Sequence, residues 1–147
     1  MVRRLLFLHD LQRGSDLSLL ALRLVVGGFL IWGVWDNVAN PERMEEFRIF
    51  LQHHGFAYPE QMAPLSVWAQ LLCGSAFTLG LITRWAGLVC AFNFVVALTM
   101  VDAQEGVRAA LPSTLLVLVG LLLATHGAGR WALDPVLHRW SGERDRA

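Results

Sequence analysis

The chain has 147 residues and a mass of 16.4 kDa, with 55% of residues apolar, 16% charged and a formal net charge of zero. Soluble domains carry about 25% charged residues, and here the deficit is concentrated: 61–83, 85–101 and 109–129 contain no Asp, Glu or Arg. An ordinary soluble domain is therefore excluded, and twelve basic against twelve acidic residues argue against a nucleic-acid-binding face.

A bilayer core of about 30 Å is crossed by roughly 20 apolar residues in a helix. Four such spans are predicted in chain order, at about 17–35, 64–82, 85–101 and 109–125. Runs such as Leu115-Leu116-Val117-Leu118-Val119 lack the alternation of a membrane barrel strand. Arg23 in span one costs roughly 2.5–3.5 kcal/mol at a helix centre, but the Leu, Ile, Val and Phe residues around it return roughly 3 to 7 kcal/mol. Ahead of this span, His9-Asp10 interrupts Leu5-Leu6-Phe7-Leu8 and no small-x-small site follows, so an uncleaved anchor is expected.

The connection over about 36–63 should contain a short helix. Asn40 is placed to cap it, Pro41 to begin it and Gly55 to stop it, while Met44, Phe47, Phe50 or Leu51, and His54 recur at helical spacing. Such a helix would lie on the membrane or cap the bundle. Tyr58-Pro59 and Pro64 are expected to turn the chain into span two. After span four, Gly127-Ala128-Gly129 should end the helix, and Asp134-Pro135 should open a second interfacial helix with Leu133, Val136, Leu137 and Trp140 on one face.

Arginines retained on the cytoplasmic side give the orientation. Arg3, Arg4, Arg13, Arg84, Arg130, Arg139, Arg144 and Arg146 fall on one side, and Arg43, Arg48 and Arg108 on the other. The expected fold is thus a single-domain, all-α integral membrane four-helix bundle with both termini cytoplasmic, in the bacterial inner membrane.

Three motifs carry a family resemblance. Leu22-Arg23-Leu24-Val25-Val26-Gly27 in span one, Gly74 followed by Leu79-Gly80-Leu81-Ile82-Thr83-Arg84, and Gly127-Ala128-Gly129-Arg130-Trp131-Ala132-Leu133-Asp134 occur in register with the four spans. Together they resemble the DoxX family over about residues 17–137. The resemblance implies a four-helix membrane protein, and DoxX-like and DoxD-like proteins include a membrane subunit of thiosulfate:quinone oxidoreductase and members of thiol and oxidative-stress complexes. This chain departs at two positions, with Asp36 where relatives often carry Lys and Gln70 where they often carry Glu.

Polar groups at membrane depth are candidate sites because they are costly there. Arg23, Gln70, Asn93 and His126 facing one cavity would suit a quinone headgroup, whose two carbonyls need only donors. Alternatively, Arg23 snorkels, or neutralises helix-end carbonyls or Asp134, while Gln70 and Asn93 tie helices together. Trp32, Trp35, Asp36, His53, His54 and Tyr58 form either an interfacial aromatic cluster or a second polar pocket; no metal site is expected. Cys73 and Cys90 are read as packing residues, since their depths differ by roughly 6 Å and a disulfide needs close Cα approach.

No dinucleotide, haem, iron–sulfur or dithiol motif is present, so a chain acting in redox chemistry would depend on a partner protein for electrons. The first expectation is a membrane subunit of, or accessory to, a quinone-linked redox complex, bound to membrane lipids and other subunits. The alternatives are a non-catalytic structural or assembly subunit and an oligomeric small-solute carrier.

Overall fold

A computed structural model describes residues 14–134. The described elements are helical: α1 (Ser15–Ala39), α2 (Pro41–His53), α3 (Pro59–Leu79), α4 (Thr83–Glu105) and α5 (Val107–His126). Of these, α1, α3, α4 and α5 are each long and apolar enough to cross a membrane, at 25, 21, 23 and 20 residues. The short α2 sits at one end of the bundle, between α1 and α3.

Two glycine crossings hold the bundle together. Gly27 of α1 lies against Gly74 and Thr78 of α3 so closely that a Cβ on Gly27 would come within 2.7 Å of the Gly74 carbonyl oxygen, and one on Gly74 within 2.8 Å of the Gly27 oxygen. Gly87 of α4 and Gly120 of α5 repeat the arrangement, with added Cβ atoms 2.5 Å and 2.8 Å from the opposite carbonyl oxygens. Lipid offers apolar helices no hydrophobic drive to associate, so close backbone approach is what brings them together. The Gly87-x3-Ala91 spacing is one of these contacts, because a Cβ on Gly120 would meet Ala91. Between the crossings, Leu30, Cys73, Phe77, Cys90, Leu116 and Leu123 pack into one core drawn from all four long helices. Both cysteines are free and buried, and Cys73 Sγ donates to the Ala86 carbonyl at 3.3 Å.

The helix ends follow local chemistry. Asn40 Oδ1 accepts from the Glu42 N–H at 2.9 Å, Pro41 opens α2, and Gly55 turns away with φ of 75°. The entry to α3 lies five residues earlier than the sequence suggests: Pro59 is its first residue and Pro64 lies inside it. As the sixth residue of α3, Pro64 gives up one ladder bond, to the carbonyl of Glu60, a residue exposed in the first turn of the helix. Gly80 ends α3 with φ of 69°, and Gly127 ends α5 with φ of 87°.

The turn 127–134 folds back across the end of the bundle opposite α2. Arg23, 1% exposed, donates from Nη2 to the Trp131 carbonyl at 2.5 Å. Its guanidinium rests on Gly80, where any side chain would collide with Nη1. The Asp134 carboxylate accepts from the Ile82 and Thr83 N–H groups at 2.5 and 3.1 Å, capping α4, and Asp16 accepts from Arg130 N–H at 3.2 Å. Ile82 has φ of 49°, a costly conformation for a β-branched residue, and the Asp134 bonds hold it there. The expected helix beyond Asp134 lies outside the described residues, as does the chain before Gly14.

Candidate functional site

A cavity of about 500 Å³ opens in the half of the bundle nearest α2, within the range of small-molecule sites. Phe47, Phe50 and Leu51 of α2, with Phe56 after it, form its roof. The walls are one face of α3, at Met62, Leu65, Ser66, Ala69 and Gln70, and one face of α4, at Val89, Phe92, Asn93, Val96 and Ala97, both at helical spacing. Ser113 of α5 completes the wall. Leu65, Val89 and Phe92 line the cavity and are also exposed on the outer surface of the bundle, so its α3–α4 wall borders the lipid-facing side.

Polar groups are few and connected. Gln70 Nε2 donates to Ser66 Oγ at 3.2 Å, and Ser66 Oγ donates to Asn93 Oδ1 at 3.0 Å. This chain ties α3 to α4 and leaves the Asn93 amide N–H groups and one Gln70 N–H to meet an acceptor. Asp102 also lines the cavity, and its Oδ2 is buried without a hydrogen-bond partner among the described residues.

Asp102 reaches this wall through an irregular backbone. Residues Leu98–Asp102 form a π-helical segment inside α4. On an uninterrupted α-helix the face of Asn93 and Ala97 would continue through Met100 and Gln104. Val101, four residues after Ala97, lies beside that face in either geometry, and it is the wider π turn that brings Asp102 to the cavity. Thr99 Oγ1 donates to the Val95 and Val96 carbonyls at 2.9 and 3.2 Å, competing for acceptors of the regular ladder at the point where the helix widens.

The four candidates from the sequence therefore separate. Gln70 and Asn93 meet through Ser66 in this cavity. Arg23 does not line it; it is buried beneath the 127–134 turn and bonds the Trp131 carbonyl, beyond the end of α5, rather than a helix-end carbonyl. His126 is exposed on the last turn of α5 and does not line the cavity either. Ser66, Ser113 and Asp102 were missed. Ser66, four residues before Gln70 and hence on the same helix face, carried a readable signal. Asp102 carried none, because its direction depends on the π turn.

The aromatic cluster near α2 does not close into a pocket: Trp32, Trp35 and Tyr58 are 78, 55 and 71% exposed. Asp36 instead lines a shallow groove between α1 and α2 with Asn37, Arg43 and Glu46. Arg43 bonds Glu46 at 2.8 Å, and Asn37 Nδ2 donates to the Arg43 carbonyl at 3.1 Å. His54 Nδ1 lies 2.8 Å from the Phe50 carbonyl, so it serves the helix end. Arg48 pairs with Glu45 and, at 3.5 Å, with Glu60 of α3; its hydrogen bond to Glu45 holds that carboxyl below its ordinary value. No group of three His, Cys, Asp or Glu side chains converges among the described residues.

The family model described as DoxX matches residues 18–103, more than half of the chain. The chain belongs to the DoxX family. The matched segment runs from α1 to within three residues of the end of α4, and so includes Arg23, both amides of the cavity and Asp102. No curated protein and no solved structure matches the chain. Family and fold together make it an integral membrane protein whose long helices contact lipid.

Proposed function

We propose that this DoxX protein is a membrane subunit of, or accessory to, a quinone-linked redox complex, and that the cavity beneath α2 holds the quinone headgroup. The observation that carries this reading is the makeup of the cavity: amide donors from Gln70 and Asn93, with Ser66, Ser113 and Asp102 as the other polar groups, in a wall built mostly of aromatic and aliphatic side chains. The donors suit carbonyl oxygens, the phenylalanine faces suit a flat ring, and the Leu65, Val89 and Phe92 border suits an apolar tail leaving toward lipid. A water-soluble solute would have no use for such a border.

A bound quinone supplies a two-electron acceptor or donor to a redox centre in a partner subunit. This chain's part is to orient the ring, exclude water with the α2 roof and hold two helices in register through Ser66. Arg23 and His126 are assigned no contact with the ligand; Arg23 secures the 127–134 turn. In the proposed orientation the α2 end faces away from the cytoplasm, both termini are cytoplasmic and the membrane is the bacterial inner membrane, following the arginine distribution.

Photoaffinity labelling with an azido-quinone in native membranes tests the site. Adducts should map to the cavity walls of α3 and α4 and fall at least about tenfold in Gln70→Leu, consistent with loss of a buried donor. Labelling confined to surfaces outside the cavity, or undiminished in Gln70→Leu and Asn93→Leu alike, would overturn the assignment.

A further inference from the structure

We infer that the cavity discriminates between the redox states of its ligand and favours the dihydroxy, reduced form, with Asp102 accepting a hydrogen bond from one hydroxyl. The inference rests on the quinone reading above and specifies which member of the couple the site holds.

The cavity has two chemically different poles. At one, the amides of Gln70 and Asn93 offer donors and also an acceptor in Gln70 Oε1, so they serve a carbonyl or a hydroxyl alike. At the other, the Asp102 carboxylate accepts hydrogen bonds and donates none. Its Oδ2 is buried without a partner among the described residues. A carbonyl oxygen presented to that carboxylate would set two acceptors against each other in a poorly solvated place. A hydroxyl there makes a charge-assisted bond.

The spacing suits a ring that bridges both poles. Asp102 lies nine positions after Asn93, at most roughly 13 Å along the helix axis, since the wider π turns rise less per residue. A ring with oxygens about 5 Å apart, flanked by two hydrogen bonds of about 2.8 Å each, spans roughly 11 Å, which inward-reaching side chains can bridge. The π segment is what turns Asp102 to this wall, so the preference is built into the backbone of α4.

The test uses the full chain in lipid nanodiscs under anaerobic conditions, titrated calorimetrically with a decyl-benzoquinol and with its quinone. The quinol should bind at least about tenfold more tightly, the worth of one hydrogen bond to a charged group. Asp102→Asn, whose amide donates, should bring the two affinities together or reverse their order. Asp102→Glu should keep the preference, and Gln70→Leu should weaken both ligands while leaving their ratio unchanged. Equal affinities in the wild-type protein would overturn the inference and leave the quinone reading standing, and they do so whether or not Asp102→Asn folds. Binding of neither form would overturn both. Binding of tetraphenylphosphonium in place of the quinol would assign the carboxylate to a lipophilic cation and refute the hydroxyl.

Discussion

Replacing Gly27 by Ala puts one methyl group into one of the two close glycine crossings of the bundle. The new Cβ would sit 2.5 Å from Thr78 Oγ1, 2.7 Å from the Gly74 carbonyl oxygen and 3.0 Å from the Thr78 nitrogen. Thr78 Oγ1 can rotate away, although it would then give up its 2.9 Å bond to the Gly74 carbonyl. The two backbone atoms cannot move unless α1 and α3 separate by several tenths of an ångström. That separation loosens the packing of Leu30 and Phe77, which are 1 and 0% exposed. Overpacking of this kind costs about 1–3 kcal/mol. The neighbouring Gly28 is an internal control, because a Cβ there meets nothing within 4 Å. Gly28→Ala should be neutral or stabilising by up to about 1 kcal/mol through helix propensity. The two variants should therefore differ by about 1–4 kcal/mol in reversible unfolding measured by steric trapping in bicelles. Equal stabilities, or a Gly27→Ala protein more stable than Gly28→Ala, would refute the claim that backbone contact at Gly27 and Gly74 joins the helices.

The other predictions concern the two ends of the bundle. Asp134→Ala removes both caps at the start of α4 and should destabilise by about 1–3 kcal/mol, with faster amide exchange at Ile82 and Thr83; unchanged exchange there would dismiss the cap. Arg23→Met keeps an apolar stem but leaves the Trp131 carbonyl unpaired, so proteolysis within 127–134 should accelerate, and an unaltered cleavage rate would show that the turn is held by other contacts. Arg48 lowers the folded-state value of Glu45, so the stabilisation from this pair is present above the ordinary carboxylate range, near pH 4.3, and is lost as pH falls through the lowered folded value. A spin label on α2 should accordingly gain mobility only in acid, and the acid response should disappear in Arg48→Gln; a transition near neutrality would contradict the assignment.

The legible parts of this protein were those written in local sequence. Four charge-poor runs announce four long helices, and Asn40-Pro41 with Gly55 bounds α2, because caps and breakers act within one turn. The start of α3 was harder to read, since Pro64 looks like a break and is in fact accommodated near a helix start. The polar contacts of Arg23 were beyond local reasoning: its acceptor, Trp131, lies 108 residues away and is brought near only when the 127–134 turn folds over Gly80. Grouping Arg23, Gln70 and Asn93 as polar residues at membrane depth ignores which way each helix face points. The π segment is the sharpest case. Asp102 follows a run without charge, and an ideal helix would send Met100 and Gln104 to the wall it occupies.

The central claim, that the cavity beneath α2 holds a quinone-type lipid, is tested most directly by native mass spectrometry of the protein gently released from its own membrane. The account predicts one quinone-class molecule per chain, retained by Arg23→Met and lost in Gln70→Leu. A folded protein that carries phospholipid alone, with the same spectrum in both variants, would contradict it.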